Sequence, residues 1–226
     1  EAFGRIREVE AGFRHSGDRD PDKPINWKRR VETNGEYGCM GDLGLHVLLI
    51  PLRFGWVPTS VRAVLSNVRP KRRNAAGDWD DCDTWDNATL LCDVPHRDGG
   101  FPMTLKYFRI APGQTDNWYL KIHAEKLSME FSLNSPRELK ILRYAPGRAQ
   151  AWESELIGSR SAYPTIDGAI FETGFSDAIQ QMIAAFCDEL SGGNPPFRCA
   201  TPGETRTHHA VLTAALESGK TGRTVE

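Results

Sequence analysis

The sequence lacks the long apolar runs and paired cysteines that would indicate a membrane or extracellular protein. Its longest apolar run, residues 47–52, is interrupted by Pro51 and ends before Arg53, far short of the roughly 20 residues that a membrane-spanning helix needs. No basic and then apolar segment opens the chain, so no secretory signal is predicted. The five cysteines are widely spaced and never form a C-x-x-C pair. They favour reduced thiols of a cytoplasmic protein over a disulfide or zinc framework.

Several common motifs of nucleotide binding and nucleophilic catalysis are also absent. No G-x-G-x-x-G occurs, so we expect that this chain does not itself hold a dinucleotide. No G-x-S-x-G marks a nucleophilic serine. Gly219-Lys220-Thr221 looks like the end of a phosphate-binding loop, but Ala214 stands where the required upstream glycine would be.

The charged residues nearly balance, with 28 lysines and arginines against 30 aspartates and glutamates. This balance excludes the basic surface typical of nucleic-acid-binding proteins. Two clusters are interpreted as solvated loops, one basic and one acidic with tryptophans. They consist of Arg69, Lys71, Arg72 and Arg73, and of Asp78, Trp79, Asp80, Asp81, Asp83, Trp85 and Asp86. The acidic cluster leaves a carboxylate pair for glycosidic cleavage open as an alternative.

The chain begins at Glu1, without methionine, and enters a strand-like pattern almost at once. We therefore expect a piece of a longer protein, with residues 1–226 forming one domain.

Alternating apolar and polar residues predict one strand at residues 5–14 and five or six consecutive strands between residues 61 and 144. Glu125 and Lys126 separate two of these strands and predict a tight hairpin. The last candidate, residues 137–144, is predicted to be an edge strand.

Helical spacing predicts three helices. The first runs from Gly41 towards Gly55 and contains Pro51; the second carries an apolar stripe over residues 175–190. The third begins with the capping box of residues 201–204. This order predicts an α+β fold in which helices cover one face of a large, mostly antiparallel sheet. The other face is left open, and an apolar open face would be an association surface.

The stretch Gly41-Asp42-Leu43-Gly44-Leu45-His46 is the best candidate for chemistry. Asp42 and His46 are four residues apart at the start of a helix, so both side chains can point into one space. Histidine titrates near neutral pH, and a nearby carboxylate can orient it, which suits proton transfer. On spacing alone, the plainer interpretation is favoured, in which Asp42 caps the helix and His46 packs in the core.

No metal site is predicted. Asp42 and His46 would need a third and a fourth ligand from elsewhere. The adjacent His208 and His209 diverge on their helix and are interpreted as structural or solvated.

Around Asp42-Leu43-Gly44-Leu45-His46 the sequence resembles the glucose–fructose oxidoreductase / inositol dehydrogenase (Gfo/Idh/MocA) family. That family carries G-G-G-x-x-x-D-x-G-x-H at the first helix of its C-terminal domain. Residues 4–9 are similar to the G-x-I-x-x-V that begins this domain, and Trp27 with the basic residues after it resembles the family's W-R. Residues 202–225 resemble its closing helix and terminal S-x-x-x-G-x-x-V. The resemblance therefore covers essentially the whole chain.

The resemblance implies a dihydrodipicolinate-reductase-like C-terminal domain of an enzyme that oxidises a sugar, inositol or related polyol. NAD or NADP would be bound mainly by an upstream Rossmann domain that also carries an E-K-P lysine. His46 would transfer the proton with Asp42 as its partner at the substrate, while His15 and Trp27 would line the substrate pocket. The fragment alone would be inactive, and it would form homo-oligomers through the open sheet face.

One departure from the family concerns the glycine triplet, where Glu36 and Tyr37 replace the first two glycines and Gly38 remains. The bulkier residues are expected to reshape the pocket or the cofactor edge. Two alternatives stay open: an NAD-using glycosidase of the same family, and a non-catalytic binding or assembly module.

Overall fold

A computed structural model describes residues 2–157, 161–166 and 174–226. An eight-stranded sheet dominates it, in the order β10-β9-β8-β7-β1-β6-β5-β2. These strands are β1 (Ile6–Arg14), β2 (Ser60–Ser66), β5 (Asn87–Val94), β6 (Phe101–Phe108), β7 (Asn117–Ala124), β8 (Leu127–Ser132), β9 (Glu138–Arg143) and β10 (Glu153–Leu156). Strands β1 and β6 run parallel, and every other neighbouring pair in this sheet is antiparallel. The predicted α+β fold with a mostly antiparallel sheet is confirmed.

The period of two along the strands decides which side chains enter the core. In β6, Phe101, Met103, Leu105 and Tyr107 are buried and alternate with more exposed residues. They face α2 (Cys39–Arg53) and α4 (Pro202–Thr221), which cover this face of the sheet. Helix α1 (Val31–Asn34) is a single turn before α2. The predicted hairpin at Glu125 and Lys126 joins β7 to β8.

Helix α4 is fixed at both ends and along its length. Thr201 and Glu204 form the predicted capping box at its N-terminus. Gly222 ends the helix with a φ of +67°, a conformation that glycine adopts without steric cost. Beyond it, Val225 pairs with Val61 of β2, so the end of the chain closes onto the sheet.

The interpretation of the two charged clusters as solvated loops is wrong in part, because most of their side chains are exposed but a section of each cluster is a strand and Arg72 and Asp86 are buried. The strands β3 (Lys71–Arg73) and β4 (Trp79–Asp81) form a separate two-stranded sheet. Arg72 is 1% exposed and donates hydrogen bonds to the backbone oxygens of Asp18, Asp20 and Lys23. The clusters therefore build a hairpin that supports the loop after β1.

The position of the last predicted strand also needs correction. Residues 138–143 form β9 inside the sheet, because β10 pairs with its outer side. Strand β10 has four residues and all are exposed. Its sequence therefore shows no alternation of buried and exposed residues from which the strand could be predicted.

Helix α3 (Phe175–Leu190) forms where predicted, but its apolar stripe is exposed. The stripe consists of Phe175, Ile179, Met182, Ile183, Phe186 and Leu190, which are between 39% and 74% exposed. Hydrogen bonds tie the helix to Tyr163 and to the chain near Cys199. Two helices, rather than three, therefore cover the sheet in the described part of the chain. None of the described helices is both long and apolar enough to span a bilayer.

The open face of the sheet carries mainly polar side chains at its centre. Glu10 of β1 accepts hydrogen bonds from Tyr119 (2.7 Å) and Lys106 (3.2 Å). Val64 and Leu91 are exposed apolar residues on the outer strands of this face. An extensive apolar association surface is therefore not present there.

Candidate functional site

The site lies where the N-terminus of α2 meets the ends of β1 and β6. A φ of +57° at Gly38 starts the helix, and a Cβ atom there would come within 2.6 Å of the Trp85 backbone nitrogen. The adjacent Cys39 N–H donates to the Trp85 carbonyl at 2.9 Å. Only glycine fits this close approach, which explains why the third glycine of the triplet remains in this sequence.

Asp42 lies in the first turn of α2 and is half-buried between two cations. Its carboxylate accepts hydrogen bonds from Lys28 Nζ at 2.9 and 3.0 Å and from Arg109 Nε at 3.2 Å. Partial burial opposes ionisation, but the Lys28 hydrogen bond and the charges of Arg109 and Lys28 outweigh it and hold the pKa of Asp42 below its ordinary value. Asp42 is therefore a carboxylate at neutral pH.

Arg109 is a site residue that the sequence analysis missed. Its side chain is completely buried just after β6, and it also donates to the carbonyl oxygens of Lys28 (3.1 Å) and Gly38 (3.3 Å). It thereby joins the loop before α2, the start of α2 and Asp42. The sequence signal for it was a single arginine directly after a strand of alternating apolar residues. An arginine buried at such a position needs partners for its charge.

A second buried arginine anchors the short 3-10 helix Trp27–Arg29, which carries Lys28. Arg29 forms ion pairs with Asp18 and Asp86, and all three side chains are buried. Asp86 also accepts hydrogen bonds from the backbone N–H groups of Val68 and Arg69. Breaking such a pair leaves an uncompensated buried charge, so this network rigidly positions the neighbouring Lys28.

His46 is solvent-exposed rather than packed in the core. Its ring lies against Phe13 of β1, with centroids 5.9 Å apart, and its backbone carbonyl accepts a hydrogen bond from Trp118. Within the described part of the chain, His46 and Asp42 form neither a hydrogen bond nor an ion pair with each other. The imidazole is therefore free to meet a ligand from solvent.

The ring of Phe13 also contacts His15, with centroids 6.3 Å apart. Burial lowers the pKa of His15, with the charges of Asp116 and Asp42 acting in the opposite direction. Because the charge of Asp42 acts on this imidazole, His15 lies close enough to Asp42 to share its electrostatic environment. Trp27 is 58% exposed, and the Lys28 ammonium lies 5.5 Å from its ring centroid.

Glu36 and Tyr37 do not fill the space around Asp42. Glu36 pairs with Lys220 at 2.7 Å, and the Tyr37 hydroxyl lies 2.7 Å from the Thr213 hydroxyl. Both contacts lead to α4. The two bulkier side chains therefore contact α4 and leave the space around Asp42 open.

The candidate site combines a carboxylate, two cations and two imidazoles, groups that can hydrogen-bond to the hydroxyls of a ligand. No three metal-ligating side chains come together among the described residues. Nor does this part of the chain offer a glycine-rich turn between a strand and a helix N-terminus, the arrangement that binds a pyrophosphate.

The fold is that of an open-faced α+β domain. More particularly, a family model described as the GFO/IDH/MocA C-terminal domain matches residues 1–130, and the chain belongs to this family.

Solved structures share the fold across 99% of this chain. An oxidoreductase domain protein from Kribbella flavida is 19% identical with a TM-score of 0.79. A levoglucosan dehydrogenase in complex with NADH and L-sorbose is 21% identical with a TM-score of 0.77. An inositol dehydrogenase homologue complexed with NAD+, from Azotobacter vinelandii, is 16% identical with a TM-score of 0.72. The chain spans 60%, 59% and 58% of these structures. No curated protein matches it.

Proposed function

We propose that this chain is the substrate-binding C-terminal domain of an NAD(P)-dependent oxidoreductase that acts on a sugar, inositol or related polyol. The observation that carries the proposal is the paired state of Asp42, held by Lys28 and Arg109 one helical turn from a solvent-exposed His46. Membership of the GFO/IDH/MocA family supports oxidoreductase chemistry as the use of this geometry.

In the proposed reaction, His46 removes the proton from the substrate hydroxyl whose carbon is oxidised. Histidine is the side chain that most often serves as a general base in such a step. Asp42 is ionised and each carboxylate oxygen has two lone pairs, so it can accept a hydrogen bond from a substrate hydroxyl while keeping its cations. His15 and Trp27 would bind the ring or chain of the same substrate.

NAD or NADP, when bound, supplies the acceptor for the hydride. Since the described residues do not form a pyrophosphate cradle, we assign the cofactor to a Rossmann domain outside residues 1–226. The exposed apolar stripe of α3 supports a further domain, because large apolar patches are rarely left in water. We therefore expect residues 1–226 alone to be inactive.

We also propose that copies associate through the open sheet face. The centre of this face is polar, so we expect a polar interface rather than an apolar one. A strict monomer in light scattering at high concentration would contradict this association.

The test uses the full-length polypeptide that contains this chain. NAD(P)H absorbance is followed with levoglucosan, L-sorbose, myo-inositol and D-glucose as substrates. His46→Ala should lower kcat by roughly 10²- to 10⁴-fold, the usual contribution of general acid–base catalysis.

His96→Ala provides the matched control, because His96 is a partly exposed histidine beyond the end of β5, where it contacts Phe101 at the end of the sheet opposite the site. Its kcat should stay near that of the unmodified enzyme. If His46→Ala retains full activity, the assignment of proton transfer is wrong. Glycoside cleavage without net NAD(P)H formation would instead identify the hydrolase alternative.

A further inference from the structure

A polar cavity opens beside the candidate site, between the loop after β1 and the turn that leads into β7. Its volume is about 460 Å³, within the size range of small-molecule sites. The residues that supply its polar groups are His15, Ser16, Arg19, Gln114, Thr115 and Asp116. His15 belongs both to this cavity and to the surroundings of Asp42.

The two walls of the cavity are joined by hydrogen bonds. The Ala111 N–H donates to the His15 carbonyl at 3.0 Å, and the Ser16 hydroxyl donates to the Ala111 carbonyl. Gln114 accepts from Asn117 at 3.2 Å. These contacts fix the two walls relative to each other, and a fixed cavity binds a ligand at a lower entropic cost.

His15 presents a hydrogen-bond donor in this cavity. Its Nδ1 atom accepts the Gly17 N–H at 3.1 Å, so the proton of the neutral ring is on Nε2. No protein group within the described residues bonds to Nε2. The donor is therefore available to a ligand oxygen.

Asp116 provides the complementary acceptor. Neither Asp116 nor Arg19 forms a side-chain hydrogen bond or ion pair within the described part of the chain. Asp116 is also the one described residue other than glycine with a positive φ, +44°. Such conformations are uncommon and cluster at functional sites.

The chemistry of the lining indicates the class of ligand. One carboxylate balances one guanidinium, His15 is neutral, and no large apolar side chain lines the cavity. Such a lining favours an uncharged group with many hydroxyls over a phosphate or an apolar ring.

We propose that this cavity is a second subsite that binds the part of the substrate remote from the reacting carbon, an uncharged polyhydroxylated group such as a second sugar ring. Asp116 accepts hydrogen bonds from its hydroxyls, and His15 Nε2 and Arg19 donate to its oxygens. This inference rests on the proposed function for the identity of the adjoining reaction site.

The test is an NMR titration of the 226-residue chain with D-glucose, myo-inositol, maltose and cellobiose. Asp116→Asn removes the charge but keeps the shape, and asparagine tolerates a positive φ. It should weaken binding of the tighter disaccharide about tenfold, the effect of one lost hydrogen bond to a charged group. Binding of the monosaccharides should change less. Asp22→Asn alters an exposed acid outside the cavity and should leave all affinities unchanged.

Imidazole titration in the same samples checks that Asp116 acts at His15. Since the Asp116 charge raises the pKa of His15, Asp116→Asn should lower that pKa further. Absence of disaccharide binding, or equal affinities in Asp116→Asn and the unmodified chain, would overturn the subsite.

The proposed function has its own test: an undiminished kcat of His46→Ala in the full-length polypeptide would refute it. A lowered kcat in that variant, together with unchanged disaccharide binding in Asp116→Asn, would refute the subsite alone.

Discussion

The buried histidine of α4 makes the stability of this fold depend on pH. His208 is 3% exposed and lies against Gly44 of α2. Burial, together with the charge of His209, lowers the pKa of His208 from 6.5 to about 4. As the pH falls below 6.5, the His208 imidazole becomes protonated in the unfolded chain, whereas in the folded chain it stays neutral until about pH 4. The stabilisation is therefore complete above pH 6.5 and is lost between these two values.

The difference between the two pKa values corresponds to roughly 3 kcal/mol, at about 1.4 kcal/mol per pH unit. At about pH 5, some 2 kcal/mol of this should already be lost. Urea unfolding of the 226-residue chain at about pH 7.5 and pH 5 measures the loss.

His208→Gln serves as the comparison, because glutamine remains neutral across this range. His15, Glu204 and the other titrating groups remain in both proteins, so the difference between their pH dependences isolates His208. The unmodified chain should lose about 2 kcal/mol more than the variant. Equal losses in the two proteins would refute the reasoning.

Three further outcomes follow from contacts described above. Gly44→Ala places a Cβ atom 2.6 Å from His208 Nε2 and should lower the free energy of unfolding by about 1–3 kcal/mol, with recovery when His208→Ala is added. Lys28→Met removes the hydrogen bonds that lower the pKa of Asp42, so that pKa should rise in a carboxyl NMR titration. In the isolated 226-residue chain the apolar stripe of α3 is exposed, so Ile183→Glu should reduce association through that stripe in light scattering, apart from the association proposed for the open sheet face; the urea midpoint should change little because the Ile183 side chain is 52% exposed.

Each of these variants has a matched control. Gly203→Ala adds a methyl group to α4 where the nearest atom would be 3.8 Å away, so it should not destabilise the fold by crowding. Lys71→Met breaks an exposed pair with Asp81 and should leave the Asp42 titration unchanged. Gln180→Glu adds the same charge outside the apolar stripe, and it should reduce association less than Ile183→Glu. If a variant behaves like its control, the prediction made for that variant is wrong.

Local sequence patterns predicted most of the fold. Strand β6 and helix α4 follow directly from alternation and from the Thr201–Glu204 capping box. The β3–β4 hairpin was missed because its strands have three residues each and carry mainly charge, so no periodicity reports their pairing. The stripe of α3 shows the converse limit: a helical period establishes an apolar face, but it does not establish what covers that face.

The sequence by itself determined that Asp42 and His46 share one turn of a helix, because a spacing of four residues fixes their positions locally. Only the tertiary structure decided what these residues face. Lys28 and Arg109 reach Asp42 from 14 and 67 residues away, and Phe13 of β1 lies against His46. Such contacts depend on the order and register of the strands, which arise when the whole chain buries its apolar surface. The candidate pair was therefore visible in the sequence, whereas the ionised state of its carboxylate and the exposure of its imidazole came from the fold.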